Sequence, residues 1–442
     1  MTEIMEAAKD AYLADFVQFE RDISTRDEMW VRRLRASALS QFAGLSFPTN
    51  KDEEWRYTNI APIIKTPFRI SEDYLCSIKP NDISFSGNRL VFVNGHYSPS
   101  ESYQQHLDGI QIGNLATFLN TTRGGVEPYL AKYADYRSHI FTALNTAFMN
   151  DGAFIYIPKG KVVEQPIHLL FLSTNNNGDA SISHPRVLIV AEGNTRVAVI
   201  EDYVGVDNGT YFTNAVTEIV AGEDSAVEHY KLQRESNNAF HISTIQVKQN
   251  HSSRFTSHSI SLGGMLTRND INVALNGEGS ECTLNGLYIV DNKQHMDNHT
   301  TIDHSKPHTY SRELYKGVLD GTSRGVFNGR VIVHQNAQKV DALQINKNLL
   351  LSADAIINTK PQLEIFANDV KCKHGATVGQ LNPDAMFYLR SRGIGIDAAR
   401  NILTSAFTND IVSNIKNEKI RNWLYKLVSA HLQNGLRLEA IV

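Results

Sequence analysis

The central half of the chain alternates between short apolar runs and polar breaks. Ile271, Val273 and Leu275 occupy every second position, and breaks rich in Gly, Asn, Asp and Ser recur roughly every dozen residues. This spacing predicts many short strands, and no long helix, between about residues 152 and 379. The strand-like runs are 154–157, 167–172, 186–191, 196–201, 215–220, 242–247, 254–262, 269–275, 284–290, 325–333, 340–345 and 363–366.

Two all-β folds fit this series of strands. One is a sandwich of two sheets, and the other is a parallel β-helix, a solenoid in which successive turns of the chain stack on one another. The even spacing continues over the whole span without a closing pattern, which favours the solenoid. The sequence shows no sharp repeat, so the pattern alone leaves both folds open.

The residues before this span are predicted to be mostly helical. In 1–23, apolar side chains recur at three- and four-residue steps, and Asp27 is placed to cap a second helix. The run RLVFV at 89–93 and the Asn-Gly that follows predict a strand and a hairpin turn, and 115–149 returns to helical spacing. The buried positions expected on the first two helices are Ile4, Ala8, Tyr12, Phe16, Phe19, Trp30, Leu34 and Leu39.

A second change of pattern predicts a helical unit at the C-terminus. Asn382 suits an N-cap, Pro383 suits the first helical position, and Asp397 is placed to cap the next helix. The apolar positions expected on the last two helices are Ile402, Leu403, Ala406, Phe407, Ile420, Trp423, Leu424, Leu427 and Val428. We therefore expect an N-terminal region at 1–150, a β core at 151–381 and a C-terminal unit at 382–442.

Composition and charge narrow the function classes. The 442 residues carry 43 Lys and Arg against 47 Asp and Glu, a net charge of −4, which argues against non-specific nucleic-acid binding. Cys76, Cys282 and Cys372 are odd in number and far apart, so we expect neither a disulfide framework nor a four-thiolate cluster within the chain. The acidic N-terminus and the short apolar runs predict a cytoplasmic protein that does not bind membranes.

Several familiar catalytic motifs are absent from the sequence. It contains no Walker A motif, no G-x-G-x-x-G that opens a helix and no H-E-x-x-H. Residues 321–325, GTSRG, match the nucleophile elbow of hydrolases. That motif needs a helix after the serine, whereas the residues that follow have a strand pattern, so a hydrolase of this type is not expected.

Four histidines lie close together in the segment QHMDNHTTIDHSKPH. Because alternate residues of a strand share a face and imidazole is a common metal ligand, His295 with His299, and His304 with His308, form two candidate ligand pairs. The structural alternative is that each imidazole bonds to a neighbouring backbone or carboxylate group. The sequence favours this structural role.

Cys372 and His374 form the second candidate metal site. Residues two apart in a strand point to the same side, so the thiolate and the imidazole can reach one ion. Sulfur with imidazole suits zinc or iron–sulfur chemistry, but two ligands are only half of a tetrahedral set. The structural alternative is a buried cysteine that acts as a small apolar side chain.

Residues 358–393, which include DVKCKHGAT at 369–377, closely resemble the signature of the SufB/SufD family of iron–sulfur cluster assembly scaffolds. The variant at 369–377 is similar to the SufD branch rather than the SufB branch. Two other motifs agree with this resemblance: DEEWRYT at 52–58, and the histidine segment at 297–308 with SRELYKG at 311–317. The resemblance runs from about residue 48 to about residue 410.

The resemblance implies a fold and a set of partners. It implies a mainly β chain with a right-handed parallel β-helix core, flanked by N-terminal and C-terminal helical regions. It also implies a non-enzymatic scaffold subunit that forms a heterodimer with SufB and docks the SufC ATPase through its C-terminal helices. In the isolated state a homodimer is possible.

The resemblance also assigns roles to residues. The pair at the end of the β-helix, here Cys372 and His374, lies at the interface with SufB in this family, where a transient iron–sulfur cluster is assembled and shared. No tightly bound cofactor is expected in the isolated chain. The partner contacts expected on the C-terminal helices are Ile402, Phe407, Trp423 and Leu424.

Three alternative functions stay open at this point. The chain could belong to the SufB branch, although the C-x-H pair argues against it. It could be a carbohydrate-acting β-helix enzyme, with Asp297 and Asp303 as paired carboxylates on one strand face. It could also be a stand-alone zinc protein that uses the four histidines.

Overall fold

Most helices of the described chain lie towards its two ends, and most strands lie between them. The computed structural model describes residues 2–23, 27–71, 87–120, 125–174 and 178–435. The helices are α1 (Thr2–Ile23), α2 (Met29–Gly44), α3 (Ala61–Lys65), α4 (Leu115–Leu119), α5 (Ile140–Phe148), α6 (Pro383–Ser391), α7 (Ile396–Ser413) and α8 (Glu418–Gly435), with a short 3₁₀ turn at Glu53–Trp55. The strands are β1 (Arg69–Ile70), β2 (Arg89–Val93), β3 (His96–Tyr97), β4 (Gln111–Asn114), β5 (Gly152–Ile157), β6 (Ile167–Ser173), β7 (Ser181–Ser183), β8 (Arg186–Ala191), β9 (Arg196–Gly205), β10 (Tyr211–Ala221), β11 (Ala226–Arg234), β12 (Phe240–Gln249), β13 (Arg254–Ser261), β14 (Leu266–Leu275), β15 (Glu281–Val290), β16 (His295–His304), β17 (Tyr310–Leu319), β18 (Arg324–Val333), β19 (Asp341–Leu350), β20 (Ile356–Ile365) and β21 (Lys371–Gly379).

From β8 onward, successive strands enter two sheets in turn, which makes the central region a β-solenoid of about eight turns. Sheet A runs β20-β18-β16-β14-β12-β10-β8-β5-β4, and sheet B runs β21-β19-β17-β15-β13-β11-β9-β6-β2-β3. The stacked strands are parallel, and one turn takes between 26 residues, from Phe240 to Leu266, and 32 residues, from Arg324 to Ile356. The solenoid prediction is confirmed, and these uneven turns explain why no sharp repeat is visible.

The inner faces of the two sheets pack against each other and form the main core. Along β14, Ile271, Val273 and Leu275 are buried inside the coil, whereas the intervening Asn272 and Ala274 are partly exposed. The alternation read from the sequence is therefore the alternation between the inside and the outside of the coil. Burying one such large apolar side chain contributes about 1.5–3 kcal/mol.

The outer face of sheet A is covered by the N-terminal region. Helix α5 is buried along its whole length, and the Phe141 ring lies 6.1 Å from the Phe212 ring of β10. Strands β2 and β4 extend sheets B and A into the same region, where β2 pairs with β6 and β4 pairs with β5. The predicted hairpin is confirmed, since β2 and β3 are antiparallel and both Asn94 and Gly95 have positive φ.

Two predictions about the first helices are wrong in detail. Helix α2 follows Glu28, so Asp27 is not its N-cap; Asp27 instead pairs with the buried guanidinium of Arg35. Ile4 of α1 is exposed, although Phe16 and Phe19 of the same helix are buried as expected.

The helical spacing of 115–149 produces only two short helices, α4 and α5, and the described residues between them include a series of turns. A buried carboxylate, Glu218 of β10, accepts hydrogen bonds from the backbone N–H groups of Ala131, Tyr133 and Ala134. These backbone donors are therefore satisfied by sheet A rather than by a helical turn.

The C-terminal helices cover the outer face of sheet B. Ile411 of α7 and Leu424 of α8 are fully buried in one cluster with Ile260, Leu287 and Val318 of the sheet. The Asn382 side chain caps α6 as predicted, by accepting from the N–H groups at positions 384 and 385. Helix α7 starts one residue before Asp397, after Gly395, so Asp397 lies in its first turn and is not the cap.

The solenoid ends in an uncovered turn made of β20 and β21. In the described chain, β20 pairs only with β18 and β21 only with β19, so each strand has one free edge. Nearby, Phe366 is 63% exposed and Phe387 of α6 is 74% exposed. None of the helices described is both long and apolar enough to cross a membrane.

Candidate functional site

Strand β21 places Cys372 and His374 on its inner side, at the open end of the solenoid. Cys372 lies beside Ala342 and His374 beside Gln344 of β19, and both of those residues are buried inside the coil. Cys372 is partly buried against the main core, whereas His374 is exposed. The spacing prediction that both side chains share a face therefore agrees with the structure.

The surroundings of Cys372 disfavour the thiolate form of its side chain. Burial raises the pKa of the Cys372 thiol above its ordinary value, and the nearby Asp341 carboxylate acts in the same direction. A metal ligand must be the thiolate, so ion binding here releases a proton. Cys282 is fully buried and Cys76 lies outside the described residues, which leaves Cys372 as the accessible thiol of the described chain.

The pair does not complete a metal site within this chain. Among the residues that the structure describes, no group of three or more His, Cys, Asp or Glu side chains is positioned to hold a metal ion. Cys372 and His374 therefore provide two donors that face the open end of the coil.

Exposed apolar side chains occur on the same last turn of the solenoid and on the helix that follows it. The exposed large apolar residues of the last turn and the helix after it are Ile356, Ile365, Phe366, Val378, Phe387 and Tyr388. Exposed apolar groups beside two free strand edges are the features of a surface that receives another protein. Lys371 and Lys373 alternate with the two donors along β21, and charged residues of this kind limit non-specific pairing of an edge strand.

The four neighbouring histidines do not converge. His295 and His299 lie on the outer side of β16, whereas His304 is buried on the inner side and bonds to Thr309 and Ser311. The prediction that His304 and His308 share a face is wrong, because the strand ends at His304 and His308 lies in the following turn with a φ of 56°.

Instead, the histidine segment is joined to the N-terminal motif at 52–58 by a cluster of polar contacts. We call this cluster the hub, and it consists of Glu54, Trp55, Thr58, Arg268, Asp297 and His299. Arg268 of β14 stacks 3.8 Å from the centroid of the Trp55 ring and donates to the Glu54 carbonyl oxygen at 2.6 Å. Its guanidinium also pairs with Asp297 at 2.9 Å, and the Thr58 hydroxyl donates to the same carboxylate at 2.5 Å. The segment 52–58 is thereby fixed across the outer face of sheet A.

His299 lies at the centre of this hub, between two carboxylates. Its Nε2 lies 2.9 Å from Asp297 and its Nδ1 lies 3.2 Å from Glu54. Burial opposes the charge, but the two carboxylates outweigh it and raise the pKa of His299. Burial likewise opposes ionisation of Asp297, yet His299 and Arg268 hold the pKa of that carboxyl well below its usual range. Asp297 is therefore held by fixed structural partners, which argues against the alternative in which Asp297 and Asp303 act as a pair of catalytic carboxylates.

The serine of the GTSRG segment is also structural. Ser323 is fully buried, and strand β18 starts at the next residue, Arg324. The strand–turn–helix arrangement that exposes a nucleophile is therefore missing, as the sequence predicts.

Two family models together match most of the chain. The SufBD core domain of the SUF system for FeS cluster assembly matches residues 171–407, and the SufBD protein N-terminal region matches residues 6–169. The chain belongs to the SufB/SufD family. A SufBD family iron–sulfur cluster assembly protein of Synechocystis is 34% identical over 418 residues, which cover 92% of each chain. Relatives named iron–sulfur cluster assembly protein SufD are 30% identical in Escherichia coli, over 90% of this chain and 92% of the relative, and 26% identical in Bacillus subtilis, over 91% and 94%.

The family resemblance predicted from three separate motifs is confirmed, and the structure shows how two of them are related. The motif at 52–58 and the histidine segment of β16 are in direct contact, through Thr58, Glu54, Asp297 and His299. Sequence reasoning missed Arg268, which joins them. The available signal was an arginine in the strand-like segment LTRND at 266–270, since a buried guanidinium requires fixed partners.

The four predicted partner contacts of this SufB/SufD family member differ in exposure. Ile402 of α7 is 46% exposed and is available to another protein. Phe407 and Trp423 are partly buried against sheet B, and Leu424 is fully buried there. In this arrangement Leu424 docks the helical unit on the solenoid, and contact with a partner at the other three positions stays a prediction.

The hub gives a first test of the fold. Thr58→Val keeps the side-chain volume but removes the donor to the buried Asp297 carboxylate, so we expect a loss of about 1–3 kcal/mol in the free energy of unfolding. Chemical denaturation measures this loss. Thr66→Val is the matched control, because the Thr66 hydroxyl bonds to the Pro62 carbonyl oxygen at the exposed surface. Equal losses for the two variants would contradict the role given to Thr58.

Proposed function

We propose that this chain is a SufD-type scaffold subunit that assembles with a SufB-type subunit and a SufC-type ATPase, and that Cys372 and His374 are its half of a shared iron–sulfur cluster assembly site. The observation that carries the proposal is the position of both donors on the inner side of the last strand, at an open and partly apolar end of the coil. Relatives named SufD support the choice of branch.

The chemistry of the donor pair supports a site shared between two chains. Iron in a cluster prefers soft sulfur and imidazole donors, and a tetrahedral ion needs about four of them. A partner seated on the open end would bring further donors opposite Cys372 and His374. Iron and sulfide are the cargo of this site, and we expect no tightly bound cofactor in the isolated chain.

The free edges of β20 and β21 support the proposed mode of docking. An exposed strand edge accepts a strand from another chain, and the exposed Phe366 and Val378 beside it would be buried in the same contact. A SufB-type subunit with a similar coil end fits this surface. A second copy of the same chain fits it as well, so a homodimer is expected when the partner is absent.

The C-terminal unit supports a link between ATP hydrolysis and the site. Helix α6 begins at Pro383, shortly after β21 ends at Gly379, and the exposed Ile402 lies on the following helix. ATP-driven closure of SufC subunits docked on this unit would pull on β21 and expose the donor pair. The chain itself has a scaffold role in this scheme, without enzymatic activity, in the cytoplasm.

The proposal is tested with His374→Ala in the complex with SufB-type and SufC-type partners. We expect the variant to fold and co-purify with both partners but to assemble clusters at least about tenfold more slowly, because one donor is lost. Cluster formation is measured by visible absorbance after addition of ferrous iron and a sulfide source. Lys373→Ala, the neighbour that points outward on the same strand, is the control and is expected to behave as the wild type. A wild-type rate for His374→Ala would show that the assignment is wrong.

A further inference from the structure

A buried carboxyl group lies behind the donor pair on the inner side of sheet B. In the register of the last three strands of this sheet, Glu313 of β17 lies beside Gln344 of β19, which lies beside His374 of β21. Neighbouring strands are about 4.8 Å apart, so Glu313 is about 10 Å inside the coil from His374. Glu313 and Gln344 are both buried.

The interior is shaped to hold these two polar side chains. Gln344 donates from Nε2 to Glu313 Oε2 at 2.7 Å. Across the coil stands Gly329, where a Cβ atom would lie only 2.3 Å from Gln344 Nε2, so a larger residue would displace the amide. Glu313 Oε1 and Gln344 Oε1 are buried and have no hydrogen-bond partner. Two unpaired acceptors in a space kept open by glycine are unusual in a packed interior.

Glu313 also differs from three other buried carboxylates of the solenoid. Glu201, Asp202 and Glu235 each lie next to a histidine or arginine, and the pKa of each is lowered by that partner in spite of burial. None of the ion pairs between described residues includes Glu313. The titratable groups that face it are Cys282 of β15 and Tyr315 of its own strand, while His304 of β16 bonds to the nearby Ser311.

Burial therefore raises the pKa of Glu313 to about 7, although the nearby Thr300 hydroxyl and the hydrogen bond from Gln344 act in the opposite direction. Burial thus brings the ionisation of this carboxyl group into the neutral pH range. A small change in the local potential is enough to move such a group to one protonation state.

We propose that Glu313 is the interior counter-charge of the donor pair: a divalent cation bound at Cys372 and His374 drives a proton off Glu313, and the carboxylate so formed stabilises the cation. The O–H bond of Glu313 breaks, its electron pair stays on the carboxylate, and the proton leaves through the open end to solvent. Opposite charges about 10 Å apart in a protein interior attract strongly enough to change affinity about tenfold or more. This inference rests on the proposed function, because it takes Cys372 and His374 to be the metal donors.

The test uses the full-length chain, with Co²⁺ as a spectroscopic probe, between about pH 5 and about pH 8. We expect Glu313→Gln to bind Co²⁺ about tenfold more weakly than the wild type at about pH 8 and equally well at about pH 5, where Glu313 is protonated in both states. Infrared spectroscopy gives an independent readout. The band of a protonated carboxyl group, present at neutral pH in the metal-free wild type, is expected to disappear when Co²⁺ binds and to be missing from the variant.

The variant is expected to fold, since glutamine can keep the hydrogen bond to Gln344. Without metal, the difference in stability between the variant and the wild type is expected to depend on pH. A carboxyl pKa raised from 4.5 to about 7 by folding means that the wild type loses stability as pH rises through this interval. Glu313→Gln is therefore expected to match the wild type at about pH 4 and to be the more stable chain at about pH 8.

Control variants separate this inference from the proposed function. Glu364→Gln removes a partly exposed carboxylate on β20, where solvent screens the charge, and is expected to leave Co²⁺ binding unchanged. If Cys372→Ser and His374→Ala weaken Co²⁺ binding while Glu313→Gln keeps the wild-type pH profile, the role of Glu313 as a counter-charge is overturned. The assignment of Cys372 and His374 as donors then stands. If Co²⁺ does not bind the wild type, or binds the two donor variants equally well, the counter-charge is overturned, whereas the shared site of the proposed function is decided by cluster assembly of His374→Ala in the complex.

Discussion

Arg186→Met is expected to lower the free energy of unfolding by about 3–5 kcal/mol, because it leaves the buried Glu218 carboxylate without its cation. The two side chains are fully buried and pair at 2.5 Å. Arg186 also donates to Asn145 and Thr146 of α5, so the pair fixes this helix to sheet A. Denaturant unfolding followed by circular dichroism measures the loss.

Two further variants make this prediction specific. Arg69→Met removes one side of an exposed pair with Asp179 and is expected to cost less than about 1 kcal/mol. Combining Arg186→Met with Glu218→Gln is expected to recover part of the loss, since no unpaired charge remains in the interior. A loss below about 1 kcal/mol for Arg186→Met alone would contradict the account of this pair.

Leu424→Ala is expected to lower the free energy of unfolding by about 2–5 kcal/mol, because it opens a cavity between α8 and sheet B. Ile402→Asp on the neighbouring α7 changes a side chain that is largely exposed, so its effect on stability is expected to stay within about 0.5 kcal/mol. The same Ile402→Asp variant is expected to capture a SufC-type ATPase more weakly in a pull-down. Thermal unfolding and the pull-down together distinguish a residue that docks the helical unit from one that contacts the partner.

The opposite pattern would refute this division of roles. If Leu424→Ala leaves the melting temperature unchanged, α8 is not held on sheet B as described. If Ile402→Asp binds the ATPase as the wild type does, the exposed side of α7 is not the docking surface, and the proposed link to ATP hydrolysis needs another contact.

Local pattern was sufficient to predict the type of most elements. Runs in which every second residue is apolar, such as 271–275, form strands. Successive side chains of a strand point in turn to the inside and to the outside of the coil. Asn382 was predictable as a cap because capping depends on the next three residues only. Asp27 was not predictable in the same way, since its carboxylate pairs with the buried Arg35, which lies 8 residues further along the chain.

The shared strand face of Cys372 and His374 was predictable for a similar local reason, whereas the surroundings of the two residues were not. Cys372 and His374 share a face because they are two residues apart in a strand. The hub joins Thr58 to Asp297 across 239 positions of sequence, and Glu313 is related to His374 only through the register of three strands. Contacts of this range depend on the exact length of each turn of the coil, which varies and leaves no repeat to read.

The uncovered last turn has a consequence for the timing of assembly. In a stack of coils each turn is ordered by its neighbours, and the terminal turn has only one. Strand β21 of this terminal turn has one sheet neighbour among the described strands, and it is also the strand that carries Cys372 and His374. Under the proposed function, a partner strand that pairs with this edge would supply the missing neighbour, so the two donors would become ordered when the partner brings the second half of the ligand set.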